Sequence, residues 1–370
     1  MKILYVTTIS LTMNSFFQPH IEALMKEGNQ VDIACNYKML ALADLYQKLG
    51  CNFYQIDFSR SPMSLNNVKA FRQLKNVIKN GKYDVVHCHT PNASVITRLV
   101  CRRFRKNTGL KVFYTAHGFH FYKGAPKLNW MVYYPIEKLC SRYTDKLITI
   151  NKEDYELAKA KFNAQEVQYV PGVGVNLSRF EGVEIDKGAK RKEIGVPEDA
   201  ILLLSVGELN ENKNHQVIVK AIAKLKDPNV HYAIAGVGNK REFLLELAKE
   251  LGVSNQLHLL GYRKDIPELN HASDVFCFPS FREGLPVSMI EAMACGLPVV
   301  CSRIRGSSDL IDEEAGHLVN ADDVYGFAKA ISILAEDESL RSRMGTVNKE
   351  NAWQYSTDLI VEMVKSLYEC

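Results

Sequence analysis

No stretch of this 370-residue chain approaches the ~20 consecutive apolar residues needed to span a bilayer. Its nine cysteines show no paired spacing and no Cys-x-x-Cys. That pattern points to a reducing cytosol, with no disulfide framework and no structural zinc. The opening MKILYVTTIS carries one Lys before a short β-branched run, and no small-residue cleavage site follows. It reads as a first strand and not as a signal peptide. No Gly-x-Gly-x-x-Gly comes after it, which disfavours a nicotinamide enzyme. The net charge is only +4, too little by itself to imply a nucleic-acid partner. The last absence is local. Val85 to Ile136 holds no Asp or Glu, where even spacing of the 42 acidic residues would place roughly six.

What is present is a globular composition, 46% hydrophobic and 24% charged, in a chain long enough for two domains. Apolar runs bounded by turn residues read as strands. In the first half they are KILYVTTI, QVDIACN, CNFYQIDF, YDVVHCHT, KVFYTAH, DKLITIN and VQYVPGV. In the second they are ILLLSVG, VHYAIAG, QLHLLGY, DVFCFPS, PVVCS and GHLVN. Helical spacing lies between them, as over residues 64–81, which end on Gly. The alternation implies an α/β chain with two mostly parallel sheets covered by helices. The expected divisions are 1–171, a Gly-rich and charged linker at 172–199, 200–350, and a helical tail at 351–370.

The most informative segment is FREGLPVSMIEAMACGLPVVCS, 281–302. It reads as the end of a strand, a glycine loop, a helix from Pro286 to about Cys295, a Gly296 cap and a second strand. Glu283 falls in the loop and Glu291 in the helix. In open parallel sheets, ligands bind at the carboxyl ends of strands, against helix starts that favour anions. The two carboxylates can accept hydrogen bonds from sugar or ribose hydroxyls. A second segment, ILLLSVGELNENKNHQ, carries Lys213 from a strand end at Gly207 towards a helix, a placement that suits a diphosphate.

Glu-Gly-x-Pro-x-x-x-x-Glu followed by Ala-Met-Ala-Cys-Gly-x-Pro-Val-Val resembles the donor-site signature of a large retaining glycosyltransferase family. That family includes bacterial sucrose-phosphate and phosphatidylinositol-mannoside synthases. The resemblance implies the GT-B fold, two Rossmann-like doubly wound domains facing a central cleft. It implies a nucleotide-sugar donor, UDP-linked by default, with no further cofactor, and transfer of a hexose or N-acetylhexosamine with retention. No Asp-x-Asp is present for a metal-bridged nucleotide, and no metal is expected. No protein nucleophile is evident, so the leaving phosphate is expected to take the acceptor proton. The resemblance places Gly284, Leu285, Pro286 and Glu291 on the donor, Glu283 beside the transferred sugar, and Lys213 on the diphosphate. Glu208 stands where the family has Arg, with Arg263 as the candidate replacement. Gly261 and Tyr262 match the base-recognition loop, and His117 matches a His near the sugar. His87 and His89 are expected to point to opposite faces of their strand. The first loop, TTISLTMNSFFQPH, lacks the family's glycine pair, and its Ser, Thr and Asn are expected to line an acceptor cleft.

The wording TAHGFHFYKGAP is similar to enzymes of capsular and exopolysaccharide assembly. Together with the acid-free window, it suggests a polyprenyl-diphosphate-linked glycan acceptor. The protein would then be cytoplasmic and peripheral on the inner face of the membrane, docked through Arg98, Arg102, Arg103, Arg105 and Lys106. The rival readings are a non-transferring enzyme such as a nucleotide-sugar 2-epimerase, a transferase with a soluble acceptor, and a two-domain sugar receptor.

Overall fold

The computed structural model describes residues 1–369. The chain forms two compact units, Met1–Gly174 with the segment from Thr357 on, and Val175–Ser356. The first contains strands β1 Lys2–Ile9, β2 Gln30–Asn36, β3 Phe53–Gln55, β4 Val85–His89, β5 Lys111–Ala116, β6 Lys146–Thr149 and β7 Glu166–Tyr169. They form one parallel sheet in the order β3-β2-β1-β4-β5-β6-β7. The second contains β8 Ile201–Val206, β9 Val230–Ala235, β10 Leu257–Gly261, β11 Val275–Phe278, β12 Val299–Ser302 and β13 Gly316–Val319. Their parallel order is β10-β9-β8-β11-β12-β13. Each strand falls on one of the apolar runs read from the sequence.

Those runs are continuous because each sheet is buried on both faces. Leu202 and Leu204 enter one core of the second unit, and Leu203 enters the other. Ile3 and Tyr5 are likewise split from Leu4 and Val6 in the first unit. In each sheet the chain leaves its first strand towards one side and later resumes on the other. The switch points lie between β1 and β4 and between β8 and β11, where open parallel sheets bind ligands.

The helix Thr357–Ser366 belongs to the first unit. Ile360 and Val364, with Leu367 and Tyr368, share a core with Tyr5 and Phe113. Lys365 also reaches Glu27 at 2.7 Å.

Three expectations for the first unit are corrected. TTISLTMNSFFQPH is not an open loop. It forms the helices Ser10–Phe16 and Gln18–Lys26, with Pro19 in the first turn of the second. Ser10 Oγ donates to the Leu40 carbonyl at 2.5 Å, and Asn14 bonds the backbone of Ala41 and Ala43. These polar groups anchor the 40–43 loop.

Arg98 is not a surface cation. It lies fully buried in the helix Pro91–Thr108, with Nη2 2.8 Å from Glu137 and its guanidinium 4.1 Å from the Tyr114 ring centroid. Arg105 is engaged too, donating to both oxygens of Asp145 at 2.8 and 2.6 Å. Of the basic set, Arg102, Arg103 and Lys106 remain exposed. Trp130 faces inward, packing on Phe121 and Tyr134. Among the described residues, no helix is long and apolar enough to cross a membrane.

Candidate active site

The second unit builds its site at the β8/β11 switch point. β8 ends at Val206, and the Gly207 amide bonds the Ala235 carbonyl at 3.0 Å. The floor is packed backbone on backbone. A Cβ on Gly236 would lie 1.8 Å from the Gly207 oxygen, so only glycine fits there. Gly261, with φ of 70°, is bridged to Gly236, which brings the 261–262 backbone beside this floor. The Tyr262 ring is 74% exposed.

The loop after Gly207 is held by three asparagines. Asn210 Oδ1 accepts from the Lys213 amide at 3.0 Å. Asn212 accepts the Phe281 amide at 2.8 Å through its carbonyl and donates to the Arg282 carbonyl at 3.0 Å. Asn214 adopts a left-handed φ of 52°, a conformation its short polar side chain tolerates, and donates to Pro279 and Ala321. Sequence reasoning missed Asn212 and Asn214. The signal available was the repeated Asn in ELNENKNHQ.

Stitched in this way, the two loops bring Lys213 and Glu283 together, Nζ to Oε1 at 2.9 Å. Lys213 Nζ also lies 4.7 Å from the Phe278 ring centroid. From behind, buried Arg305 donates to the Glu283 carbonyl at 3.2 Å. A Cβ on Gly306 would meet the Gly284 oxygen at 2.4 Å, which fixes the Gly284–Leu285 backbone. Arg305 and Gly306 carried no signal in the sequence reading. Pro286 then caps the helix Val287–Ala294. Glu291 sits half-buried in that helix, with no hydrogen-bond or ion-pair partner among the described residues. Burial pushes its carboxyl up to about 7, with Arg179 opposing weakly.

Arg263, the candidate for the missing cation, is engaged by two carboxylates. It donates to Asp265 at 2.7 Å and also pairs with Glu193, so carboxylates already neutralise it. Glu208 does not pair with Arg263. It is exposed and accepts from Asn210 Nδ2 at 2.9 Å.

In the first unit, His117 follows β5. Its Nε2 is 3.3 Å from His89 Nδ1. His87 and His89 do not diverge. Residues two apart on a strand share a face, and their rings stack at 4.3 Å. His87 is bound by Tyr368 and Thr115, while the buried His89 Nε2 has no hydrogen-bond partner among the described residues. With His20, these rings line one cavity beside Phe17. Burial holds His117 and His20 down to about 4 and His87 to about 3. The cluster is therefore neutral at pH 7. It can orient a hydroxyl through its ring N–H groups and lone pairs, but it is not in the imidazolium form a general acid needs. His120 stands apart, stacked on Tyr133 at 4.7 Å. No group of three residues suited to a metal occurs among the described residues.

Comparison with known proteins fits this geometry. Residues 2–151 match the family model described as Glycosyl transferase 4-like, and residues 186–351 match Glycosyl transferases group 1. The chain is 38% identical to EpsD of Bacillus subtilis (strain 168), assigned as a glycosyltransferase, over 99% of this chain and 96% of that protein. It is 28% identical to the UDP-Gal:alpha-D-GlcNAc-diphosphoundecaprenol alpha-1,3-galactosyltransferase of Escherichia coli, over 94% and 90% of the two chains. Among solved structures, Anabaena Alr3699/HepE in complex with UDP aligns with a TM-score of 0.80 at 18% identity, over 99% of each chain.

Proposed function

The chain belongs to the glycosyltransferase family and has its GT-B fold, and from that premise we propose which sugar chemistry it performs. It transfers a hexose or N-acetylhexosamine from a UDP-sugar, with retention, to a polyprenyl-diphosphate-linked glycan in capsule or exopolysaccharide assembly. The second unit binds the donor and the first the acceptor, at the inner face of the membrane. The observation that carries this reading is Glu291. It is a half-buried carboxylate with no hydrogen-bond or ion-pair partner among the described residues, on the helix that follows the Glu283 loop. Such a group fits the ribose hydroxyls of a nucleotide. The E. coli relative's donor and lipid-diphosphate acceptor, and the UDP in the HepE structure, support the substrate classes.

In this reading Lys213 turns from Glu283 to the diphosphate, and Glu283 accepts hydrogen bonds from the sugar. The bond from the anomeric carbon to the phosphate oxygen breaks, and a bond to the acceptor oxygen forms on the same face. The acceptor's proton passes to the departing phosphate. The neutral histidines around His117 orient hydroxyls on the acceptor side.

A thermal-shift panel of nucleotide sugars tests this. A donor at 100 times its dissociation constant should stabilise by about 2.7 kcal/mol. Glu291→Gln should weaken the same donor by about tenfold or more. Hydroxyl donors favour the ionised carboxylate. Wild-type affinity should thus be flat above pH 7 and fall by up to about tenfold per unit below it, and the variant should lose this dependence. The stability sign is opposite. A carboxyl raised from 4.5 to about 7 disfavours folding increasingly as pH rises through that window, fully above it. Glu291→Gln should accordingly raise the melting temperature at pH 8. No response to any nucleotide sugar would overturn the function. Donor affinity indifferent to Glu291→Gln would overturn its role.

Glu208 offers a second test. It is exposed and unpaired with any cation, so Glu208→Arg places a charge beside Lys213 without breaking an ion pair. Free UDP should bind about tenfold tighter by calorimetry. Unchanged or weaker binding would show that this position does not face the diphosphate.

A further inference from the structure

The helix Lys127–Ser141 wears its apolar face outward. Leu128, Met131, Val132, Pro135, Ile136 and Leu139 recur at helical spacing and are all exposed, Leu128 by 67% and Met131 by 74%. A helix packed on a sheet ordinarily turns such a stripe to the core. Here the aromatic residues Trp130 and Tyr134 take the inward role instead. The stripe continues onto a second segment. Met63, 91% exposed, borders with Val132 and Ile136 an open groove of about 350 Å³ that Phe121 also lines. Contiguous exposed apolar surface of this kind marks an interaction site.

The exposed charges on and beside it are mostly basic, with the Glu153 carboxylate accepting from the Lys123 amide at 2.7 Å. Lys123, Lys127 and Lys138 are exposed at or beside the helix, and Arg102 and Arg103 are exposed on the helix Pro91–Thr108. Glu137, the one acid within Lys127–Ser141, is turned inward and neutralised by Arg98, and Asp145 beyond it is neutralised by Arg105. We propose that this face docks on an anionic bilayer, the apolar stripe entering the headgroup–acyl boundary and the lysines meeting lipid phosphates. Charge complementarity selects this occupant over a second copy. A two-fold contact would set the same lysine rim against itself, whereas an anionic leaflet attracts each basic group near it. The inference rests on the lipid-linked acceptor reading and deepens it, replacing the expected contact through Arg98 and Arg105 with a different helix.

Full-length protein is mixed with vesicles of phosphatidylcholine and phosphatidylglycerol, or of phosphatidylcholine alone, without donor or acceptor. Wild type is expected on the anionic vesicles at low salt, released as salt rises. Met131→Asp/Leu139→Asp should bind about tenfold more weakly or worse, with an unchanged melt, since both side chains already face solvent. Lys123→Gln/Lys127→Gln/Lys138→Gln should weaken binding and flatten its salt dependence. The inference is overturned if wild type ignores anionic vesicles or if the double Asp variant binds as wild type. It is equally overturned if sedimentation shows a dimer that the Asp variant dissociates while vesicles are ignored. Donor-induced thermal shift, read on the same samples, reports on the glycosyltransferase reading independently of vesicle binding.

Discussion

Lys213→Ala is expected to lower turnover by a factor of about 10²–10³ while changing stability by about 1 kcal/mol or less. Charge grows on the diphosphate as its bond to the sugar breaks. A preorganised cation there stabilises the transition state more than the bound donor. The backbone of Lys213 is held by Asn210 and its ammonium lies near the Phe278 ring, so only its bond to Glu283, at 2.9 Å, must be exchanged for the diphosphate. Lys213 is the only Lys or Arg between Gly207 and His215. Glu283→Gln keeps the shape of the pair and removes its charge. It should also reduce turnover, with donor affinity less affected. Steady-state kinetics on both variants, alongside melting curves, check the assignment. Full turnover in a well-folded Lys213→Ala protein would exclude Lys213 from the diphosphate.

Arg98→Met is expected to destabilise the first unit by about 3–5 kcal/mol. The substitution leaves Glu137 buried without its partner. It also removes the contact with Tyr114 and the bond from Nε to the Ser94 carbonyl at 3.1 Å. Urea unfolding measures the loss. Because the cost comes mostly from the stranded carboxylate, Arg98→Met/Glu137→Leu should recover much of the stability. A single variant as stable as wild type would mean that the pair contributes nothing the surrounding core does not supply.

The contrast between Lys213 and Arg98 shows what could be read from the chain. The fold was legible because two-face burial makes every strand a continuous apolar run, and such runs are visible without any partner. That Lys213 and Glu283 come together, 2.9 Å apart, was foreshadowed by the sequence because each follows a strand end of the same parallel sheet. Arg98 was misread because a basic residue in a basic helix looks like surface. Its burial depends on Glu137 arriving from another helix, and no local pattern announces that. The pairing of Arg263 with Glu193 was hidden in the same way, since the two are distant in sequence. His87 and His89 were misplaced by an error of strand geometry, not by any lack of signal. Lys127–Ser141 was not singled out as a helix from sequence. Only the structure shows that its apolar face is turned to solvent.

The return of the final helix to the first unit has a consequence for synthesis. Residues 1–174 emerge first, yet Ile360, Val364, Leu367 and Tyr368 complete their core. While Val175–Ser356 is being translated, for roughly ten to forty seconds at ordinary ribosomal rates, Tyr5 and Phe113 lack their cover and His87 lacks the Tyr368 hydroxyl. The intervening unit is continuous and can close as it leaves the ribosome. The nascent chain therefore finishes its middle before its beginning, and its earliest segment is the one longest exposed to chaperones.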